Sequence, residues 1–419
     1  MPNHKLFVKW NSKQLTYCQT AISIRRFPPI LTDQTECDLE MPTYLDNNAT
    51  TPLEPEVRDV MLRYFDVEYG NADSRTHEYG ARANKAVQLA REQIAELAGA
   101  DPTEVLFTSG ATEANNLAIL GLADHGHRSG RKHLVTTAIE HKAVLEPMRA
   151  LEAHGFELSI VGVGDSGRVS SKDVLAAVRE DTLLVSVMHA NNETGVLQPI
   201  GEIAEGLQGH TAYFHVDAVQ GFGKELEGPR HARIDMLSAS AHKLFGPKGV
   251  GTLIARRRGY ERPPLKPLTH GGGQERGLRP GTLPVPLIAG FGMAAAIALR
   301  DYRVRKEFCS MERRRALEAL GPLEPTVIGD QSNALDHVLA LGFKGVDSEA
   351  LMLALRDQVA ISNGSACTSA RREASHVLTA MGLDPDVIEA VARFSWSHLQ
   401  PPTAWEELAK QIKDLTVFA

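Results

Sequence analysis

Residues 104–123 read EVLFTSGATEANNLAILGLA, and this stretch decides the fold. A short β-rich apolar run, Val105–Phe107, meets a turn at Ser109 and Gly110, and a helical pattern starts at Ala111. A strand that enters a helix through a tight turn is half of a βαβ unit. The first N–H groups of such a helix are unpaired and carry partial positive charge, so Ala111 and Thr112 are placed to hold a phosphate. A plainly capped helix would read the same way.

The same alternation continues outward. HLVTTAIEH (133–141) precedes the helical KAVLEPMRALEAHG (142–155), while LLVSVMHANNE (183–193) and AYFHVDAVQ (212–220) are apolar runs that end in polar residues. This pattern predicts an α/β domain on a largely parallel sheet, with the polar clusters at the carboxyl ends of the strands, where ligands bind in such folds. From about Asp301 onward the pattern becomes amphipathic α+β. At 419 residues the chain is too long for one simple core and suits a large domain with a smaller companion. We expect a large domain over 58–300 and a small domain built from 41–57 and 301–419. Residues 1–40 lack a sustained period and read as an extension, with neither a secretory signal nor a transit peptide; Met41 is an alternative start.

Composition excludes several classes. A formal net charge of −7 lacks the footprint of a nucleic-acid binder. The basic runs Arg256–Arg258 and Arg300–Arg315 read as solvated faces, with a phosphate or acidic partner as the other reading. The longest apolar run, Pro286–Leu299, is too short for a bilayer and predicts a buried Ala-rich helix. Cys18, Cys37, Cys309 and Cys367 form no CxxC pair, and no His pair has metal spacing, so a cytoplasmic, reducing setting without a metal is expected.

Three further residues carry chemistry. Lys243 follows an apolar run, with Gly246 and Pro247 turning the chain beyond it; a surface lysine is the ordinary reading, but a strand-end lysine in a cleft loses solvation as a Schiff-base amine must. Asp217 ends an apolar run and either caps a loop or pairs with a protonated pyridine nitrogen. Cys367 lies in SNGSACTS (362–369), whose small residues make a loop and offer little to bury a structural thiol.

From Met41 to Phe394 the chain resembles the cysteine desulfurases of the fold-type I pyridoxal-phosphate enzymes. The resemblance rests on LDNNATTP (45–52), FTSGATEANN (107–116), IEHKAV (139–144), HANNETGV (189–196), HVDAVQ (215–220), SASAHKLFGPKG (238–249), HGGGQERGLRPGT (270–282), SNGSACTS and ARFS (392–395). It implies a mostly parallel seven-stranded sheet with a smaller α+β domain, and pyridoxal 5'-phosphate as cofactor. Lys243 is implied as the Schiff-base lysine, Asp217 as partner of the pyridine nitrogen, and Gln220 as donor to the phenolic oxygen. Ala111, Thr112, Ser240 and His242 would hold the phosphate, with Thr282 reaching in from the second subunit of a homodimer. His141 would stack on the ring and move protons, and Asn192 with Arg393 would grip the carboxylate of L-cysteine. Cys367 would carry the sulfur as a persulfide to an acceptor protein. A selenocysteine lyase or aminotransferase of the same fold, and a non-catalytic sulfur-transfer scaffold, are the alternatives; Cys367 in its Gly-Ser-Ala setting speaks for desulfuration.

The chain departs from the family pattern after Arg393. Where housekeeping members continue Leu-Gly-Arg, this one reads SWSHLQPP, and 26 residues follow Arg393, so a long scaffold-docking tail is not expected. SWSH is similar to desulfurases that serve DNA phosphorothioation. Both that role and general sulfur supply for iron–sulfur clusters stay open.

Overall fold

The alternation expected around residues 104–123 is realised in a seven-stranded sheet. The computed structural model describes residues 41–363 and 374–416. Its strands are β1 (Thr43–Tyr44), β2 (Val105–Thr108), β3 (His133–Thr137), β4 (Glu157–Val161), β5 (Thr182–Ser186), β6 (Tyr213–Asp217), β7 (Met236–Ser240), β8 (Gly251–Ala255), β9 (Thr326–Val327), β10 (Val338–Gly342), β11 (Val359–Ala360) and β12 (Val391–Ser395). The large sheet runs β2-β8-β7-β6-β5-β3-β4. β7, β6, β5, β3 and β4 are parallel, whereas β8 pairs antiparallel with both β7 and β2. β2, β3, β5, β7 and β8 are buried throughout. That is the near-continuous apolar pattern of strands covered on both faces.

Each face has its own core. On one side helices Glu78–Ala98 and Val285–Arg300 pack over Val87, Ile94, Phe107, Phe214 and Phe291. Helix Val285–Arg300 is the Ala-rich helix expected from sequence, and most of its residues are buried. Gly292 lets the two helices touch: a Cβ there would lie 2.4 Å from Ala90 Cα. On the other side helices Ala111–Leu120 and Lys142–Glu152 cover Leu106, Leu117, Val144, Met148 and Leu253. Among the described residues no single helix is long and apolar enough to cross a membrane.

A second sheet, β12-β10-β9, is antiparallel. With helices Tyr302–Leu320 and Trp405–Thr416 it encloses Phe343, Phe394, Trp396 and Trp405. Glu312 accepts from Trp405 Nε1 at 3.1 Å and from the Thr403 N–H at 3.0 Å, which fastens the last helix to this core. In SWSH, Trp396 is therefore core packing, and its Nε1 donates to the Cys309 carbonyl at 3.1 Å.

The run Arg256–Arg258 is not simply a solvated face. Arg256 is buried and donates to the carbonyls of Ala98 and Pro229, both at 2.8 Å. Arg258 clasps Asp235 through Nε at 2.6 Å and Nη2 at 2.8 Å. These guanidiniums satisfy loop carbonyls and a buried acid, which a count of charges along the sequence cannot detect.

Candidate active site

The polar strand ends converge on one cleft of about 530 Å3. β2 delivers Ala111 and Thr112 through its turn, β3 delivers His141, β5 delivers Asn192, β6 ends in Asp217, and β7 ends in Ser240 with His242 and Lys243 just beyond. Gln220 follows β6, and Arg393 enters from β12 of the smaller sheet. Gly251 brings β8 hard against the Gly110 turn: a Cβ there would lie 2.6 Å from the Gly110 carbonyl carbon. That approach sets the end of β7 beside the helix N-terminus, with Ser240 Oγ 4.0 Å from where a Cβ at Gly110 would lie, and His242 lines the same cleft.

Asp217 is 5% exposed. Its Oδ2 accepts from Asn115 Nδ2 at 2.7 Å and its Oδ1 from the Val219 N–H at 3.0 Å. Burial pushes this carboxyl up, while His141, the two hydrogen bonds and Lys243 pull it back. An acid in that balance is suited to a cationic ligand atom, whose charge would favour the carboxylate. The His141 imidazole is pushed down by burial, against the pull of Asp217. Its Nδ1 accepts the Ala143 N–H at 3.0 Å, so the neutral ring carries its proton on Nε2.

Lys243 is 8% exposed and donates to the carbonyls of Asn48 and, at 2.6 Å, Ala49. Gln220 Nε2 also donates to the Asn48 carbonyl, at 3.1 Å, while Gln220 Oε1 is buried without a partner among the described residues. Glu113, near the helix N-terminus, is turned back: its carboxylate accepts the Ser109 N–H at 2.6 Å and Arg279 Nε at 3.2 Å. The helix N-terminus thereby stays open to an anion. Arg393 is almost fully buried, donating through Nη1 to the Asn192 carbonyl at 2.8 Å and through Nη2 to Asp46 at 2.6 Å and Ser362 at 2.8 Å. Its Nε is buried without a partner.

The class-V aminotransferase family matches residues 43–400. The rat cysteine desulfurase is 47% identical over 355 residues, 84% of this chain and 78% of that protein. The chain belongs to the cysteine desulfurases. Solved structures agree with that membership. DndA from Streptomyces lividans superposes with a TM-score of 0.75 at 47% identity, over 85% of this chain and 99% of that one. SspA in complex with cysteine gives 0.75 at 36% identity, over 86% and 99%.

Within this desulfurase cleft the structure gathers Ala111, Thr112, His141, Asn192, Asp217, Gln220, Ser240, His242, Lys243 and Arg393. Thr282 is exposed and does not line its own chain's cleft. Cys367, Cys18, Cys37 and the extension 1–40 lie outside the described residues.

Four contributors escaped the sequence reading. Asn115 sits four residues after Ala111, on the otherwise apolar buried face of its helix, and a polar residue on that face was the available signal. Asn48 and Asp46 belong to LDNNATTP, whose polar run marks a loop but names no partner. Ser362 is 31 residues from Arg393, and only its bridge to that residue makes it a neighbour.

Proposed function

We propose that this chain is a pyridoxal-phosphate-dependent cysteine desulfurase that converts L-cysteine to L-alanine and holds the sulfur as a persulfide on Cys367. The observation that carries the reading is the convergence of Asp217, Lys243 and the open N-terminus of helix Ala111–Leu120 on one cleft. A pyridine cation for Asp217, an aldehyde for Lys243 and a phosphate for the helix are the three features of that cofactor. The Arg393 Nε, unpartnered among the described residues, fits a ligand that has still to complete its hydrogen bonding.

Ala111, Thr112, Ser240 and His242 would hold the phosphate, Asp217 the ring nitrogen, Gln220 the phenolic oxygen, and His141 the ring face. Bound there, the cofactor supplies an electron sink joined to the substrate amine. Arg393 and Asn192 hold the substrate carboxylate, with Asp46 and Ser362 fixing the guanidinium. The Lys243 amine, displaced by substrate, takes the Cα proton, and His141 relays protons nearby. Cys367 thiolate attacks the substrate sulfur. The new S–S bond forms as the Cβ–S bond breaks, its electron pair stays with the three-carbon fragment, and protonation of that fragment gives alanine.

The surface supports a subunit arrangement. Leu62, Phe65, Val67, Tyr69 and Tyr79 are all about half exposed or more, and Tyr69 and Tyr79 stack at 5.5 Å. Gln274 of the HGGGQERG segment bonds Asp73 at 2.8 Å beside them. This apolar face supports a homodimer in which Thr282 completes the neighbour's phosphate site. The separate core around Leu45, Phe394 and Trp405 supports a small domain of 41–57 and 301–419 beside a large domain of 58–300. A cytoplasmic location and a protein acceptor for the persulfide complete the reading. Deleting the gene and assaying DNA phosphorothioate linkages alongside iron–sulfur enzyme activity separates the two acceptor classes.

The test of the chemistry is Cys367→Ser. This variant is expected to bind cysteine with a change in visible absorption yet to form alanine at least about 100-fold more slowly. Alanine formation at the unaltered rate would refute the attack by Cys367. Retention of the cofactor through borohydride reduction in Lys243→Ala would refute the lysine assignment.

A further inference from the structure

The strap 47–51 separates two cavities. Asn48, Ala49 and Thr50 line the cleft, whereas Asn47 and Thr51 line a smaller cavity of about 50 Å3 together with Lys224, Cys309 and His337. A chain of contacts joins the two. Lys224 Nζ lies 3.0 Å from His337 Nε2, and the same Nε2 lies 3.0 Å from Asn48 Oδ1. Asn48 Nδ2 donates to the Asn192 carbonyl at 3.1 Å, and the Asn48 carbonyl accepts from Lys243 and Gln220.

A single imidazole nitrogen cannot serve both neighbours in every protonation state. His337 is neutral, because burial pushes it well below the ordinary histidine value. If Nε2 bears the lone pair it accepts from Lys224, and Asn48 Oδ1 then faces another acceptor. If Nε2 bears the proton it donates to Asn48 Oδ1, and Lys224 fits at 3.0 Å only as an uncharged amine. Turning the Asn48 amide over does not help, since its oxygen would then face the Asn192 carbonyl.

The other charged groups around Lys224 are already engaged. Arg305 and His398 pair with Glu54 at 2.9 and 3.1 Å, and Lys306 and Tyr302 bond Glu225. Burial pushes the Cys309 thiol up to about 12, so it is uncharged, and Asp336 lines the same cavity. Burial, assisted by the charge of Lys243, brings Lys224 down to about 7.

We propose that Lys224 and His337 are positioning residues for Lys243: by fixing the Asn48 side chain they fix the carbonyls that grip the Lys243 amine, and the hold is complete only when Lys224 is unprotonated. The inference concerns the lysine of the reading above, but its test needs neither cofactor nor substrate, so either can fail without the other. As pH rises through about 7 the hold closes, and the carbonyls then keep the Lys243 amine engaged and less reactive.

The experiment is competitive acetylation of Lys243 in the cofactor-free full chain, read by mass spectrometry from pH 6 to 8.5, with circular dichroism to verify the fold of each variant. His337→Leu opens the hold permanently and is expected to raise Lys243 labelling at pH 8.5 by about three- to tenfold, the equivalent of one net hydrogen bond. His337→Gln, whose amide can donate to Asn48 Oδ1, should restore the wild-type value. Lys224→Met leaves His337 free to donate at every pH, and so lowers labelling at pH 6 while leaving pH 8.5 unchanged. In the His337→Leu background Lys224→Met should do nothing. An effect that persists in that background would mean that the Lys224 charge acts directly on Lys243 and would overturn the relay, as would equal labelling of wild type, His337→Leu and Lys224→Met.

Discussion

Replacing Asn115 with alanine tests whether the charge on Asp217 is what holds the cofactor. The Asn115 amide donates to Asp217 Oδ2 at 2.7 Å, both residues are buried, and the other carboxylate oxygen accepts the Val219 N–H. A hydrogen bond to a charged acceptor contributes about 1.5–3 kcal/mol net. Its loss is expected to weaken cofactor binding about ten- to a hundredfold and to push Asp217 further up. Asn115 Oδ1 has no partner, so the truncation orphans no second group. Burial already pushes Asp217 up. The variant therefore loses its carboxylate sooner as pH falls, and the deficit relative to wild type should widen from pH 9 to pH 6. Titrating cofactor-free enzyme with pyridoxal phosphate and following visible absorbance measures this directly. Affinity within twofold of wild type at pH 6 would refute the reasoning. A deficit of the same size at every pH would show that the amide acts by packing and not through the charge.

Glu275→Ala removes a buried carboxylate that Arg91 clasps at 2.7 and 3.0 Å and that also accepts the Phe107 N–H at 2.8 Å; a loss of about 3–5 kcal/mol in denaturant unfolding is expected. Glu140 is buried, with Oε1 accepting from Thr137 and the Met188 N–H, and burial pushes its carboxyl from 4.5 up to about 8. An acid raised on folding stabilises below its unfolded value and loses that contribution as pH climbs to the folded one, so wild type should carry a slope of roughly −1.4 kcal/mol per pH unit from this group between about 4.5 and 8. Glu140→Gln, which mimics the protonated acid, should remove that slope in pH-dependent unfolding. Phe65→Glu, on the exposed apolar face, is expected to yield monomers by sedimentation and to weaken the cofactor, as is Thr282→Ala without loss of the dimer.

What the sequence determined by itself was everything carried by period and order. Apolar runs ending in polar residues announced a parallel sheet with its chemistry at the carboxyl ends, and Asp217, Lys243 and the Gly110 turn could be read because each sits where a strand stops. Sequence likewise singled out Cys367, from neighbours too small to bury it. Only the tertiary structure decided which distant groups meet. Asn115 faces Asp217 across 102 positions, Asp46 reaches Arg393 across 347, and Glu275 reaches Arg91 across 184. Arg256 read as part of a solvated run until burial placed it against loop carbonyls, and nothing in the sequence pointed from Lys224 to His337. The physical reason is that strand and helix periods are local properties of the chain. The partner of a buried polar group is set by how the layers close, and a buried polar group must find one.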